Sequence, residues 1–127
     1  MTAASDYLEN KILDHVFGDT DYTSPTCYLA LFTATPNDAG GGTEVSGNGY
    51  ARQVMSFAAA SGGDISTDAD ITYSASGGNF GTVSHWGVFD AATGGNLLTY
   101  GAFDSSTAVN DGESYTVSSG DLTISQA

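Results

Sequence analysis

One stretch of the chain has helical periodicity; nearly everything after it is short apolar runs separated by turn residues. In residues 5–18, SDYLENKILDHVFG, Leu8, Ile12 and Val16 recur at every fourth position, and Leu13 and Phe17 widen that stripe. Glu9, Asn10 and Asp14 lie off it. The spacing predicts an amphipathic helix. Ser5 is a good N-cap, Asp6 and Glu9 suit the positive end of the helix dipole, and Gly18 supplies a stop. A helix this short is marginal alone in water. Its stripe is therefore expected to dock on the rest of the domain or on a neighbouring subunit.

The following run, CYLALFTA (27–34), is apolar almost throughout, which predicts a strand buried on both faces, with the helix covering one of them. Pro36 ends it, and residues 37–49, NDAGGGTEVSGNG, read as a flexible loop. YARQVMSFAA (50–59) alternates, with Tyr50, Arg52, Val54 and Ser56 on one face and Ala51, Gln53, Met55 and Phe57 on the other. DITYSA (70–75) reads as a short strand. GTVSHWGVFD (81–90) and NLLTYGAFD (96–104), joined by AATGG, form the clearest hairpin. NDG marks a further turn, leading to ESYTVSS and DLTISQ. Strands recurring about every ten residues with turn chemistry between them predict a mainly β fold. The expected architecture is an antiparallel β-sandwich or jelly roll with one N-terminal amphipathic helix. Residues 1–22 are then a helical segment packed on the domain, and residues 23–127 a single β-sandwich domain.

Charge narrows the functions open to such a fold. Fifteen acidic residues face only two basic ones, Lys11 and Arg52, for a net charge of −13. Binding a nucleic-acid backbone needs clustered Lys or Arg, and none exists, so no nucleic-acid partner is expected. Anionic membranes are disfavoured for the same reason. No apolar run approaches the ~20 residues of a membrane span. The opening MTAASDYLENK has neither the basic nor the apolar region of a signal peptide, so synthesis is expected in the cytoplasm. The acids serve as a solubility surface, or meet a basic partner.

The chemistry-bearing residues are few. Cys27, the one cysteine, cannot form an intrachain disulfide. With His15 or His85 it could in principle make a nucleophile and base, but a thiol in so apolar a strand is usually inert packing. Two histidines and a cysteine without close spacing make no zinc motif. GGGTEVSGNG lacks the lysine of a phosphate loop. Asp19 and Asp21, and Asp64, Asp68 and Asp70, lie close enough in sequence to share a hard cation, yet loop aspartates more often close their own turns. Neither a cofactor nor a metal site is expected, and the chain does not read as an enzyme.

The order of segments resembles a family of small bacteriophage virion proteins, often labelled tail-fibre or minor structural proteins. SDYLENKILDHVFG, YLALFTATPNDAGGGTEVSGNGYARQ, FGTVSHWGVFDAATGGNLLTYGAF and VNDGESYTVSSGDLTIS carry the resemblance over most of the chain. GGTEVSGNGYAR followed by GVFDAATGGNLL is its most specific combination. It implies a β-rich protein of the virion, made in the host bacterial cytoplasm, and gives no catalytic residues. Two placements compete. The first is a capsid cement or decoration protein on the outside of the head, commonly a homotrimer, bound to the major capsid protein or other virion proteins. The size of the chain, with no heptads, favours it. The second is a tail-fibre or baseplate module contacting host glycan or protein, for which Tyr73, Phe80 and Trp86 are candidate exposed aromatics. Their plainer reading is core packing. A third class is a lectin-like or metal-dependent enzyme domain. Under the virion readings, Leu8, Ile12, Val16 and Phe17 are the expected assembly contacts. Arg52 is either a further contact or half of a local ion pair with a loop aspartate, worth little on a surface.

Overall fold

The apolar runs of the middle of the chain pair as one antiparallel sheet, and the shorter runs fold over it as a second layer. The structure, a computed structural model, describes residues 2–125; Met1, Gln126 and Ala127 lie outside the described residues, Gln126 being the end of the last run read as a strand. In chain order the elements are β1 (Thr2–Ala4), α1 (Asp6–Val16), β2 (Tyr28–Ala34), β3 (Thr43–Glu44), β4 (Gln53–Val54) and β5 (Asp64–Ser66). They continue with β6 (Ile71–Ser74), β7 (Gly81–Phe89), β8 (Leu97–Val109), β9 (Ser114–Val117) and β10 (Thr123–Ser125). The main sheet runs β1-β8-β7-β2-β3, with β4 also paired to β2. β6 pairs with β9, and β5 with β10, as two small antiparallel sheets. The fold is thus mainly antiparallel β with a single short helix near its start, as the sequence pattern predicts.

The core lies between these layers. Leu29 and Leu31 of β2, Val83, Trp86 and Val88 of β7, and Leu98 and Val109 of β8 cluster with Ile71, Tyr73, Val117 and Leu122. Each such side chain contributes about 1.5–3 kcal/mol when fully buried. The Tyr73 hydroxyl donates to the Leu29 carbonyl (2.6 Å), tying the layers together without leaving a polar group unpaired. Tyr73, Phe80 and Trp86 are all buried, so they belong to the core and are not surface aromatics.

β2 is buried on both faces, as its unbroken apolar run predicts. Leu29 and Leu31 face the core, while Ala30 and Phe32 are equally inaccessible on the other side. There Phe32 stacks on Phe89 (centroids 6.2 Å apart, planes 10° apart). Gly87 lies beneath them: a Cβ at this position would come within 2.9 Å of both Phe32 and Leu97. Cover on that face therefore comes from aromatic packing around a glycine, beyond anything the helix supplies.

The N-terminal segment is fastened at its root. β1 adds to the edge of β8 through Thr2↔Gly101, Ala3↔Tyr100 and Ala4↔Thr99. Buried Ser5 caps α1, accepting from the Leu8 N–H (3.2 Å), and its hydroxyl donates to the Leu97 carbonyl. Further along, the helix lets go of the domain. The left-handed residue that ends it is Asp19 (φ 58°) and not Gly18; a short polar residue tolerates that conformation.

The alternating run 50–59 is less regular than it reads. Only Gln53 and Val54 form a strand, and the two-residue parity fails: Tyr50 and Met55 both enter the core region while Val54 is exposed. The chain crosses from one layer to the other here, so no single pleat fixes its faces.

Candidate functional site

The C-terminal half of α1 is the most apolar exposed feature of the described residues. Leu8 and Ile12 are half-buried, and Leu8 packs against the core. Leu13, Val16 and Phe17 stand 54%, 61% and 80% exposed. No residue of the helix is buried. The predicted stripe thus splits: its N-terminal part serves the domain, and its C-terminal part is largely exposed among the described residues. The His15 Nδ1 accepts from the Tyr22 N–H (3.1 Å), holding the segment after the helix against its last turn. Between the root of α1 and the second layer lies a largely apolar crevice of about 500 Å³, lined in part by Leu8, Tyr22, Cys27, Met55, Ile65 and Ile124. The Tyr22 hydroxyl is buried there near Tyr7, with no well-formed hydrogen bond among the described residues.

Arg52 is placed quite differently. Its side chain is only 8% exposed, and it donates to both oxygens of Glu44 (Nε 2.9 Å, Nη2 2.8 Å). Its Nη1 donates to the Ala91 and Gly94 carbonyls in the β7–β8 turn (2.9 and 2.8 Å), and the guanidinium lies 3.7 Å from the centroid of the Phe89 ring. The Tyr50 hydroxyl also donates to Glu44 (2.6 Å) and accepts from the Leu31 N–H (3.0 Å). The result is a clasp between GGTEVSGNGYAR and GVFDAATGGNLL, the two stretches whose combination is most specific in the sequence. An ion pair does form, but its partner is Glu44 rather than a loop aspartate, and its geometry is bidentate and largely desolvated. Sequence reasoning passed over Glu44, whose only signal is its place eight residues before the arginine.

The turn that Arg52 grips is itself stapled. Asp90 accepts from the Asn96 N–H (2.7 Å) and side-chain amide (3.0 Å). Burial works to raise the Asp90 pKa, but these hydrogen bonds and the Arg52 charge together bring it below the usual carboxylate value. Gly95 (φ 72°) closes the turn where a Cβ would come within 2.6 Å of the Asp90 carboxylate.

The remaining candidates are dispersed. Asp68 accepts from the Ser56 hydroxyl and Asp70 from the Ser119 N–H (2.7 Å), so both tie segments distant in sequence together rather than closing their own turns. Asp21 lies 4.0 Å from His15, and both are solvent-exposed. Among the described residues, no three His, Cys, Asp or Glu side chains gather closely enough to hold a metal ion. Burial and the Asp90 charge push the half-buried Cys27 thiol up, away from the reactive thiolate. His85 contacts the Thr35 and Ser84 hydroxyls (3.0 and 2.8 Å), on the face of β2 opposite the core.

No curated protein matches the chain. A protein family does, over residues 3–125, from the first strand through the helix and the Arg52 clasp to β10. The chain belongs to the family described as Podophage GP4 fiber I protein gp80, and is a structural protein of the phage virion.

Proposed function

We propose that the protein is a non-enzymatic module of a tail fibre or baseplate, mounted on a neighbouring virion protein through the exposed end of α1. One observation carries the mounting: Leu13, Val16 and Phe17 are exposed together on a helix whose root is fixed by Ser5 and β1. Apolar side chains gathered in this way on a soluble domain mark an interaction site, and the fixed root holds them at a constant position. The fibre description of the family supports placement on the tail over placement on the head. Residues 1–22 are then the attachment segment and residues 23–127 one β-domain directed outward. Copies of the chain packing through the same helix ends, as a homotrimer, fit this arrangement.

A capsid decoration protein bound to the major capsid protein is the second reading. The observation favouring it is that the one described helix has 11 residues and, among the described residues, no long helix accompanies it. Immunogold labelling of intact particles separates the two: label at the tail supports the fibre module, and label over the head overturns it in favour of decoration. Particles assembled with Phe17→Ser are expected to carry several-fold less of the protein while the isolated variant stays folded.

A further inference from the structure

β7 and β8 do not run in step along their whole length. His85 pairs with Ala102 and Val83 with Thr107. Between these pairs β7 has Ser84 alone, whereas β8 has Phe103, Asp104, Ser105 and Ser106. A bulge of this kind re-aims side chains and ends local pairing, and bulges of the sort concentrate beside binding sites. Here the bulged residues Phe103, Asp104 and Ser105 lie beside β9 and the segment that follows it. An open groove of about 370 Å³ lies there, with buried Trp86, Val117 and Leu122 in its lining and half-buried Phe103 and Tyr115 beside them. The Phe103 and Tyr115 rings meet edge to face, 5.4 Å between centroids and 66° between planes.

The Thr116 hydroxyl in the groove lining pairs with that of Thr72 (3.1 Å), but other polar groups there are unspent. Asp104 and Asp121 are exposed in its lining, and among the described residues neither carboxylate has a hydrogen-bond or ion-pair partner. The Tyr115 hydroxyl is likewise unpaired among them. Elsewhere the acidic side chains Glu44, Asp68, Asp70 and Asp90 are engaged within the fold. This groove instead combines aromatic rings with free acceptors.

We propose that the groove binds a saccharide, specifically a neutral or amino-substituted sugar chain of a bacterial surface, a use that rests on the fibre reading above. A sugar ring has an apolar C–H face and a rim of hydroxyl donors. Aromatic rings match the face, and carboxylates accept from the rim. Two carboxylates on a chain of net charge −13 oppose acidic sugars and admit neutral or cationic ones. The placement of rings and acceptors together, with few convergent polar groups in a partly apolar concavity, is that of a small-ligand site.

Trp86 is the one tryptophan of the chain, so its emission reports occupancy of the groove. The test is a printed array of neutral, amino and acidic bacterial surface oligosaccharides probed with the isolated chain, followed by fluorescence titration of the glycans that bind. Binding to neutral or amino glycans with a change in Trp86 emission is expected. Asp104→Ala and Asp121→Ala, both at exposed positions, should each weaken it about tenfold with the melting temperature unchanged. Phe103→Ala should weaken it further, its fold checked by the same melt. Binding to none of the glycans, preference for acidic ones, or full affinity in the Asp104→Ala/Asp121→Ala double variant overturns the proposal. The array is read without particles. Glycan binding with gold label over the head overturns the tail placement alone, and tail label without glycan binding overturns the groove alone.

Discussion

The two basic residues of this chain sit at opposite extremes. Lys11 rides on the helix, its ammonium 5.5 Å from the centroid of the Tyr7 ring. Arg52 is enclosed, bonded at four acceptor contacts and stacked on Phe89. Around Arg52 the polar groups are satisfied and the surroundings are built from two distant stretches of sequence. Around the far end of α1 the apolar groups are unsatisfied and one short segment supplies them all. Charge at Arg52, open in the sequence to either a partner contact or a local ion pair, holds the fold together here, and the apolar stripe, expected to dock, is partly left over. In a chain with so few cations, one spent inside the fold is unavailable for recognition.

Removing Arg52 should break this contrast most severely. Arg52→Ala leaves the Glu44 carboxylate with the Tyr50 hydroxyl as its one remaining donor among the described residues, two turn carbonyls without the guanidinium, and the Phe89 ring without the cation over it. The expected loss is about 3 kcal/mol, read as a fall in the urea midpoint with little change in slope. Arg52→Lys should recover only a minor part, because an ammonium cannot reproduce the bidentate fork. Next in size is Gly87→Val, which drives a side chain against Phe32 and Leu97. Overpacking of this kind costs about 1–3 kcal/mol, and the same urea titration measures it.

Alkali sharpens the comparison through the tyrosines. Burial first, then donation to Glu44, pushes Tyr50 far above its ordinary value, and burial does the same for Tyr73. On the surface, donation to Asp38 moves Tyr100 up to about 12. Each group is raised in the folded state. Its stabilising contribution is therefore complete below the unfolded value near 10 and lost as pH climbs through the folded one. Thermal melts should hold steady up to about pH 10 and fall beyond it, with tyrosinate absorbance appearing late. The prediction fails if Tyr50 and Tyr73 ionise before the domain opens. The smallest effect on stability belongs to Phe17→Ser, within about 0.5 kcal/mol of the parent, although the same change should strip the protein from particles. A large loss of stability in Phe17→Ser would make the helix end part of the core.

How far the sequence alone exposes this arrangement depends on the range of the interactions involved. β2, β7 and β8 were legible because their apolar runs are long and their turn residues unambiguous. β1, β3 and β5 were not: each has two or three residues and is a strand only because a partner lies beside it. α1 was legible to within a residue or two, but periodicity says which side chains share a face and not where along the helix the cover stops. Tyr73, Phe80 and Trp86 followed their plainer reading. The groove was hidden because FDSST reads as the polar end of a strand; that it bulges is set by its pairing with Val83 and His85. Glu44 was hidden for the same reason, since the choice of partner for Arg52 is made by tertiary structure.

The clasp also bears on time. It closes contacts about 40 residues apart along the chain, between Arg52 and the carbonyls of Ala91 and Gly94. Contacts of such separation carry a loop-closure cost, so the local β7–β8 hairpin is expected to form ahead of them. Interactions absent from the folding transition state act chiefly on the unfolding rate. Arg52 would then govern how long each folded copy survives more than how quickly it is made. For a protein carried on a particle outside any cell, with no synthesis to replace it, lifetime is the relevant form of stability.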